Sequence, residues 1–597
     1  MQVAATALGG RDFEGQVTKE INGKTYILIG NEQQLRAIGS GKKVIGRINK
    51  VTQTCMQQGA LNYQWVDGTP SSEYAGDADL SDSDISRDTD ASDHDSPLLA
   101  CTALSVNRTR TKYYGVGADG TQTDYSAANT GLTYSADANY LIFRDIDLSK
   151  NAADTNNTEW TPLMFSGTML GAVSNDGDTE ASLWKAVGAD DASVVHATAA
   201  RPVISHVVVN QKDMVSNVKG DQLDVSKQQG IGFFASITNK TVMNSNSLGS
   251  AGTAVVSNLK LQDVSVTNHT SESYIPPTLL SALTSAVGGL LDLLLKALKL
   301  LTFGQVNLDL NLRGLLTLHK DNPSNLATGA FAGRIYGDTK VTDCEVADVS
   351  VSSVSRMTGG FVGYVEGATR YDAVSDIVGA LTNVLSKILG VIPFLGLGDL
   401  VDWLLSGTLG LNALIPVGYY NPVISNSSVN GFKENVVIGN KNNPQAGGFV
   451  GAQIGAIIEN SSVTSTNGFT VQATQYAGGF AGVSRNGNVG GLLNSLGIDL
   501  LSALRPQSLI ENSNLTVDGD GKVTVSATDY AGGFSGAMAN AYAVNNSITA
   551  SVAVTADRSH AGGFTGFASV GWGLELGTDD TTNASLLKQL TKLWPNC

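Results

Sequence analysis

From residue 326 onward, hydrophobic and polar positions alternate in short runs broken by glycine or asparagine, and the same order returns about every 30 residues. FTVQAT (Phe469–Thr474), KVTVSAT (Lys522–Thr528) and SVAVTA (Ser551–Ala556) place apolar residues on one face and mainly Ser, Thr or Gln on the other. That is the period-two pattern of half-buried strands. Before such runs, an Asn or Asp stands three places ahead of a branched apolar residue. The instances are Asp343-Cys344-x-Val346, Asn426-Ser427-x-Val429, Asn460-Ser461-x-Val463, Asn512-Ser513-x-Leu515 and Asn545-Asn546-x-Ile548. A third motif recurs as TGAFAG (Thr328–Gly333), TGGFVG (Thr358–Gly363), AGGFVG (Ala446–Gly451), AGGFAG (Ala477–Gly482), AGGFSG (Ala531–Gly536) and AGGFTG (Ala561–Gly566). GIGFFA (Gly230–Ala235) is a weaker copy. The central residues Phe331, Phe361, Phe449, Phe480, Phe534 and Phe564 lie 30, 88, 31, 54 and 30 residues apart. The two long gaps therefore hold one unit plus an insertion.

Each unit reads as a short strand, a turn, a second strand, and a Gly-rich turn into a third strand at Phe-x-Gly. Such a unit cannot bury a face alone; stacked in parallel on its copies, it can. The pattern predicts an all-β fold, a right-handed parallel β-helix or β-solenoid with about 30-residue coils and leucine-rich helical insertions. The phenylalanines are expected to stack inward as a ladder. Their glycines are expected to supply positive φ at a corner, and the Asn/Asp column to occupy another corner in the left-handed region. Cys344 stands where other coils carry Ser or Asn, which reads as a buried small residue and not a reactive thiol.

The insertions share a leucine-rich character: Leu279–Phe303, Asp376–Leu405, Val489–Leu504 and, at the C-terminal end, Leu574–Trp594. Asp292, Lys296 and Lys299 form one polar helical stripe in the first, and Pro393, Asp399 and Asp402 interrupt the second. These features favour amphipathic helices or hairpins packing on one another over membrane spans. The first half differs. Thr25–Ser40 reads as a strand and a helix capped by Asn31, with Gln34 at the capping-box position. The resulting division is 1–45 for this strand and capping helix, and 46–138 for an irregular insertion with an Asp-rich loop. Residues 139–270 form the first coils, 271–325 a helical insertion, 326–572 the Gly-Gly-Phe coils with insertions at 371–420 and 488–506, and 573–597 a C-terminal helical segment.

Composition narrows the function classes. Hydrophobic residues at 42% exclude a disordered chain, and 67 glycines in 597 residues are too few for collagen. Net charge of −16 argues against nucleic acid as a partner, and membrane contact is not expected. Four cysteines without a Cys-x-x-Cys pair make neither a disulfide scaffold nor a zinc knuckle, although a Cys55–Cys101 bridge is geometrically possible. The opening residues MQVAATALGGRDFEGQ carry no charged-then-apolar leader, so neither signal nor anchor is visible in this chain.

The order of strand, NEQQLRAI helix, YLIFRDIDLS (Tyr140–Ser149), WTPLMFSGTMLG (Trp160–Gly171) and repeated Gly-Gly-Phe coils resembles bacterial cell-surface proteins with GLUG-type repeats. The resemblance covers roughly residues 25–40 and 139–572. It implies a β-helix whose helix caps the first coil, in adhesin-like proteins or the non-catalytic part of IgA-cleaving metallopeptidases. The leucine-rich inserts and the Asp-rich loop stand outside the repeat, and Gly-Gly-Phe-x-Gly replaces Gly-Leu-x-Gly.

Zinc-peptidase chemistry needs two histidines one turn apart with a glutamate between them. His94, His196, His206, His269, His319 and His560 are isolated, and none precedes Glu. Polysaccharide hydrolases need clustered carboxylates. Asp145 and Asp147 share a strand face, and Asp190-Asp191 and Asp579-Asp580 are adjacent, but none has an aligned partner legible in a neighbouring coil. Asp77–Asp95 offers oxygens to calcium but lacks an EF-hand's glycine and distal Glu, so it reads as a solvated loop. No catalytic, metal or cofactor residues are assigned. The expectation is a non-enzymatic surface or secreted β-solenoid, a stalk or adhesion module. Host glycans or extracellular-matrix proteins are its possible partners, and self-association would run through the leucine-rich inserts. A carbohydrate-active hydrolase or lyase and a self-assembling surface or filament subunit are the alternatives.

Overall fold

The computed structural model describes residues 17–74, 89–90, 100–116, 122–124, 129–151, 156–173, 200–211, 230–238, 253–269, 327–370, 418–485 and 508–569, apart from positions 22, 46, 70, 150 and 442. The described chain is all-β and mainly parallel, consistent with a β-solenoid. It clusters into two compact units. The first comprises Met1–Val208, Val255–Asp263 and Thr342–Glu345; the second comprises Val209–Ala254, Val264–Val341 and Val346–Cys597.

In the second unit, one turn of the stack holds five strands: Ile457–Glu459, Ser462–Ser465, Phe469–Ala473, Tyr476–Gly478 and Ala481–Arg485. Three strands per coil were expected, and the difference has a local cause. The extra strands are the three-residue pieces Ile457–Glu459 and Tyr476–Gly478, too short to show alternation. The next two coils repeat the order in strict register. Val463 pairs with Leu515 and that with Ile548; Val471 pairs with Val525 and that with Val554. Inward residues therefore meet their own copies, and Val463, Leu515, Val471, Val523 and Val525 are fully buried.

The phenylalanine ladder is present. Phe331, Phe361, Phe449, Phe480, Phe534 and Phe564 stack with centroids 4.7–4.9 Å apart and planes within 11° of parallel. That spacing is the distance between paired strands. The GIGFFA copy joins less regularly, with Phe234 tilted 54° from Phe331.

The glycines of the motif correct the sequence reading. None of Gly447, Gly448, Gly478, Gly479, Gly532 or Gly533 has positive φ. They are required by close approach of backbones. A Cβ on Gly478 would lie under 3.0 Å from Ala481 O and Gly536 N, and one on Gly479 under 3.0 Å from Gly533 O. A Cβ on Gly482, the glycine of Phe-x-Gly, would meet the backbone of Ala446 in the preceding coil just as closely. The two strands flanking Phe480 pack with backbone against backbone, and only glycine leaves room.

Positive φ belongs to the Asn/Asp column as expected. Asn426, Asn460, Asn512 and Asn545 have φ between 48° and 53°. Each of the first three donates its backbone N–H to the residue just before the next coil's Asn: Asn426 to Glu459 O at 3.1 Å, Asn460 to Glu511 O at 3.0 Å, Asn512 to Val544 O at 2.9 Å. Asn460→Ala is expected to lower stability by up to about 1–2 kcal/mol, because alanine keeps the Cβ that disfavours the left-handed region and loses the short polar side chain that offsets it, and Asn460→Gly by less. Urea unfolding of both variants checks this; equal losses would move the explanation from backbone conformation to the amide.

The first unit holds the N-terminal elements. Strand Lys24–Ile29 pairs in parallel with Asn139–Ile142, and that with Thr168–Gly171. The helix Glu32–Ala37 begins as anticipated. Asn31 Oδ1 accepts from Gln34 N–H, and Gln34 Oε1 accepts from Gly30 N–H, both at 2.8 Å. Arg36 ties the helix to the later chain by donating to Glu159 O at 2.8 Å and Thr158 O at 3.1 Å.

The described residues of 46–138 carry regular structure where an irregular insertion was expected. They form an antiparallel sheet of Arg47–Gly59, Asn62–Asp67, Ser71–Tyr74 and Thr109–Val116, with short strands Thr89–Asp90 and Gln122–Asp124 at its margins. Val51, Gln53 and Cys55 alternate inward, and two of these three strand-formers are not hydrocarbons. Cys55 and Cys101 are bonded, with Cα atoms 5.5 Å apart. The leucine-rich segments and nearly all of Asp77–Asp95 lie outside the described residues. Among the described residues, no helix is long and apolar enough to cross a membrane.

Candidate functional site

Side-chain chemistry gathers on an exposed row in the first unit. Strand Ile146–Asp147 pairs with Val203–Gln211 so that Asp147 lies opposite Ser205. The next residue, His206, takes φ 56°. This left-handed step is uncommon outside glycine, and histidine is, with asparagine and aspartate, among the few other residues enriched in it. It turns the imidazole onto Asp147, with Nδ1 2.8 Å from Asp147 Oδ1. Asp263, also left-handed at φ 54°, places Oδ2 3.8 Å from His206 Nε2. The result is carboxylate, imidazole, carboxylate, with side chains exposed at 48%, 48% and 45%.

The absence of an aligned partner for Asp147, expected from sequence, is thus corrected. The signal was present as His-Val-x-Val and Asp-Val-x-Val at His206, Asp263 and Asp348, each ahead of an alternating strand. Asp348 shares the left-handed conformation at φ 52°. Asp145 serves structure instead, its Oδ1 accepting the Val203 N–H at 2.8 Å. Asp190, Asp191, Asp579 and Asp580 lie outside the described residues.

Partial burial pushes the Asp147 carboxyl up. The Ser149 backbone N–H and hydroxyl, together with His206, outweigh this and hold it below the usual carboxylate value. A carboxyl depressed in the folded state contributes stability above its unfolded pKa. That contribution is lost as pH falls through the folded value, so the window lies below pH 3.8. Carbon-detected NMR titration is expected to place Asp147 below an ordinary Asp, and His206→Ala to move it up. An unchanged midpoint in the variant would remove His206 from the row. Ion pairs this exposed add little to stability.

Two further charged groups are structural. Glu345 bridges Arg201 at 2.9 Å and Lys260 at 3.1 Å, with 14% of its side chain exposed. In the second unit Arg334 lies 4.1 Å above the Tyr336 ring and pairs with Glu366 at 3.1 Å, while burial drives the neighbouring Tyr364 hydroxyl well above its ordinary pKa. Cys344 is fully buried, and desolvation pushes its thiol up to about 12. Its Sγ donates to Thr342 O, two residues back, as Ser427, Ser461 and Ser513 hydroxyls do to Ser425, Glu459 and Glu511. It is a serine-column residue with sulfur. Among the described residues, no group of three or more His, Cys, Asp or Glu is placed to hold a metal ion. Comparison with protein-family models, curated proteins and solved structures finds no match for this chain.

Proposed function

We propose that the chain is a non-enzymatic surface-exposed or secreted right-handed β-helix, an adhesion or stalk module that presents inserted segments to extracellular partners. One observation carries this reading. Phe361 and Phe449 are 88 residues apart in sequence, yet their rings stack at 4.8 Å and 2°. The stack therefore continues as though residues 371–417 were absent. Their flanks, Ala368–Arg370 and Gly418–Tyr420, pair antiparallel, so the excursion leaves and returns at one point. The segments 239–252, 371–417 and 486–507 all follow the strand after the Phe motif, Phe234–Thr238, Val362–Glu366 or Ala481–Arg485. Segments inserted at a repeated corner fall on one side of a stack, which is where repeat proteins place binding surfaces. The Cys55–Cys101 bond fits an oxidising compartment. The likeness to GLUG-repeat surface proteins points the same way.

Binding of the purified chain to arrays of glycans and extracellular-matrix proteins tests the proposal. Selective binding that is lost on deleting 371–417, with the ladder retained, is expected. Absence of binding by the intact chain would sink the adhesion reading.

A carbohydrate-active hydrolase or lyase is the second reading, favoured by the Asp147–His206–Asp263 row. Release of reducing ends from a polysaccharide panel, abolished by Asp147→Asn, would replace the first reading with this one.

A further inference from the structure

The last described coil, Ala541–Ser569, leaves the apolar positions of the second unit open. One coil earlier, Leu515, Val523, Val525 and Phe534 are fully buried. Their partners Ile548, Val552 and Val554 are only half-buried, and Phe564, stacked on Phe534, is 37% exposed. Tyr542 and Val544 beside them are exposed at 53% and 38%. Strand edges left open in this way invite pairing with other chains, and proteins cover them. In the first unit the chain covers a sheet edge itself, since Thr18–Ile21 folds back antiparallel on Lys24–Ile29.

Residues 570–597 follow directly on the last strand. In them Leu586, Leu587, Leu590, Leu593 and Trp594 recur at i, i+1, i+4, i+7 and i+8, the spacing of one helical stripe, with Lys588, Gln589 and Lys592 between them. Such a stripe would be about 13 Å long at ~1.5 Å per residue, within the ~20 Å of a six-residue strand such as Ser551–Ala556. The 16 residues from 570 to 585 give ample reach. We propose that the segment 570–597 docks its leucine stripe over Ile548, Val552, Val554 and Phe564 and closes the open coil. Tethering holds it at roughly millimolar effective concentration, which favours it over a second copy of the chain.

Hydroxyl-radical footprinting of Tyr542 and Phe564, read by mass spectrometry, tests this. Three chains are compared: the full chain, a chain ending at Ser569, and the full chain carrying L586D, L590D and L593D, with far-UV circular dichroism to verify the sheet. Both aromatics are expected to oxidise several-fold more slowly in the full chain than in the other two, with all three monomeric in sedimentation. If the truncated chain fails to fold, the triple variant alone supplies the comparison. Equal oxidation in the full chain and a folded comparator overturns the proposal. So does protection that appears only with concentration-dependent dimers, which would assign the face to a second copy.

Discussion

Gly478→Ala is expected to lower stability by about 3 kcal/mol or more, at the upper end of what overpacking costs. The added Cβ has no free volume to enter, lying under 3.0 Å from Ala481 O and C and from Gly536 N. These are backbone atoms, two of them in the same tight turn and one in the next coil, and they cannot rotate aside as a side-chain tip does. Moving them would break the register that pairs Ala477 with Ala531 and Gly478 with Gly532. Gly563→Ala is the contrast, a motif glycine without backbone around it. It occupies the second-glycine position of the last described coil, where an added Cβ meets nothing within 4 Å. That change is expected to be neutral or to stabilise by up to about 1 kcal/mol through the unfolded chain. Urea unfolding of both variants, with hydrogen exchange on Tyr476–Gly478 and Tyr530–Gly532, gives the comparison. A Gly478→Ala protein within 0.5 kcal/mol of the parent, about the scatter of neutral surface changes, would refute the packing argument.

Phe480→Ala is expected to cost about 3–5 kcal/mol, the range for deleting a buried aromatic ring. Phe480 is fully buried between Phe449 at 4.9 Å and Phe534 at 4.8 Å, with planes within 3°. Rings in van der Waals contact at about 3.5 Å with such centroid distances are slid past one another by roughly 3 Å, the offset arrangement that aromatic faces prefer. The stack thus follows from strand spacing without electrostatic conflict. Phe480→Leu separates volume from stacking: it is expected to cost roughly 1–2 kcal/mol, since most of the apolar volume stays. Phe564→Ala, at the open end, is expected to cost less than Phe480→Ala. Equal losses at Phe480 and Phe564 would mean that the ladder is closed beyond the last described coil, which would favour a docked C-terminal segment.

Much of the fold was legible because a stacked coil writes its contacts into its own period. Phe449, Phe480 and Phe534 touch, so selection for one ring in the column appears in the sequence as a residue returning once per coil. The left-handed corners were legible for a similar reason, since few residue types other than asparagine, aspartate and glycine take φ near 50° at low cost. Cys344 was legible through its neighbours in the serine column. The reason for the paired glycines was misread. A glycine needed for φ and one needed for space are the same letter, and only the distance from Gly478 to Gly536 distinguishes them.

The row at His206 was only half legible: His206 and Asp263 each precede a Val-x-Val run, but Asp147 stands outside that pattern, and a histidine with φ 56° breaks the alternation used to assign faces. The antiparallel sheet of residues 47–124 was missed because Thr, Gln, Tyr and Asn form its strands, giving weak hydrophobic contrast. The bond between Cys55 and Cys101 was one possibility until that sheet brought the two together. The sequence by itself determined the coil length, the inward aromatic column, the left-handed corners and the burial of Cys344, since each is a local preference repeated at a fixed interval. Only the tertiary structure decided the five-strand coil, the steric role of the glycines, the disulfide and the carboxylate–imidazole row. Those depend on distances between segments that share no period, and such distances exist only once the chain has folded.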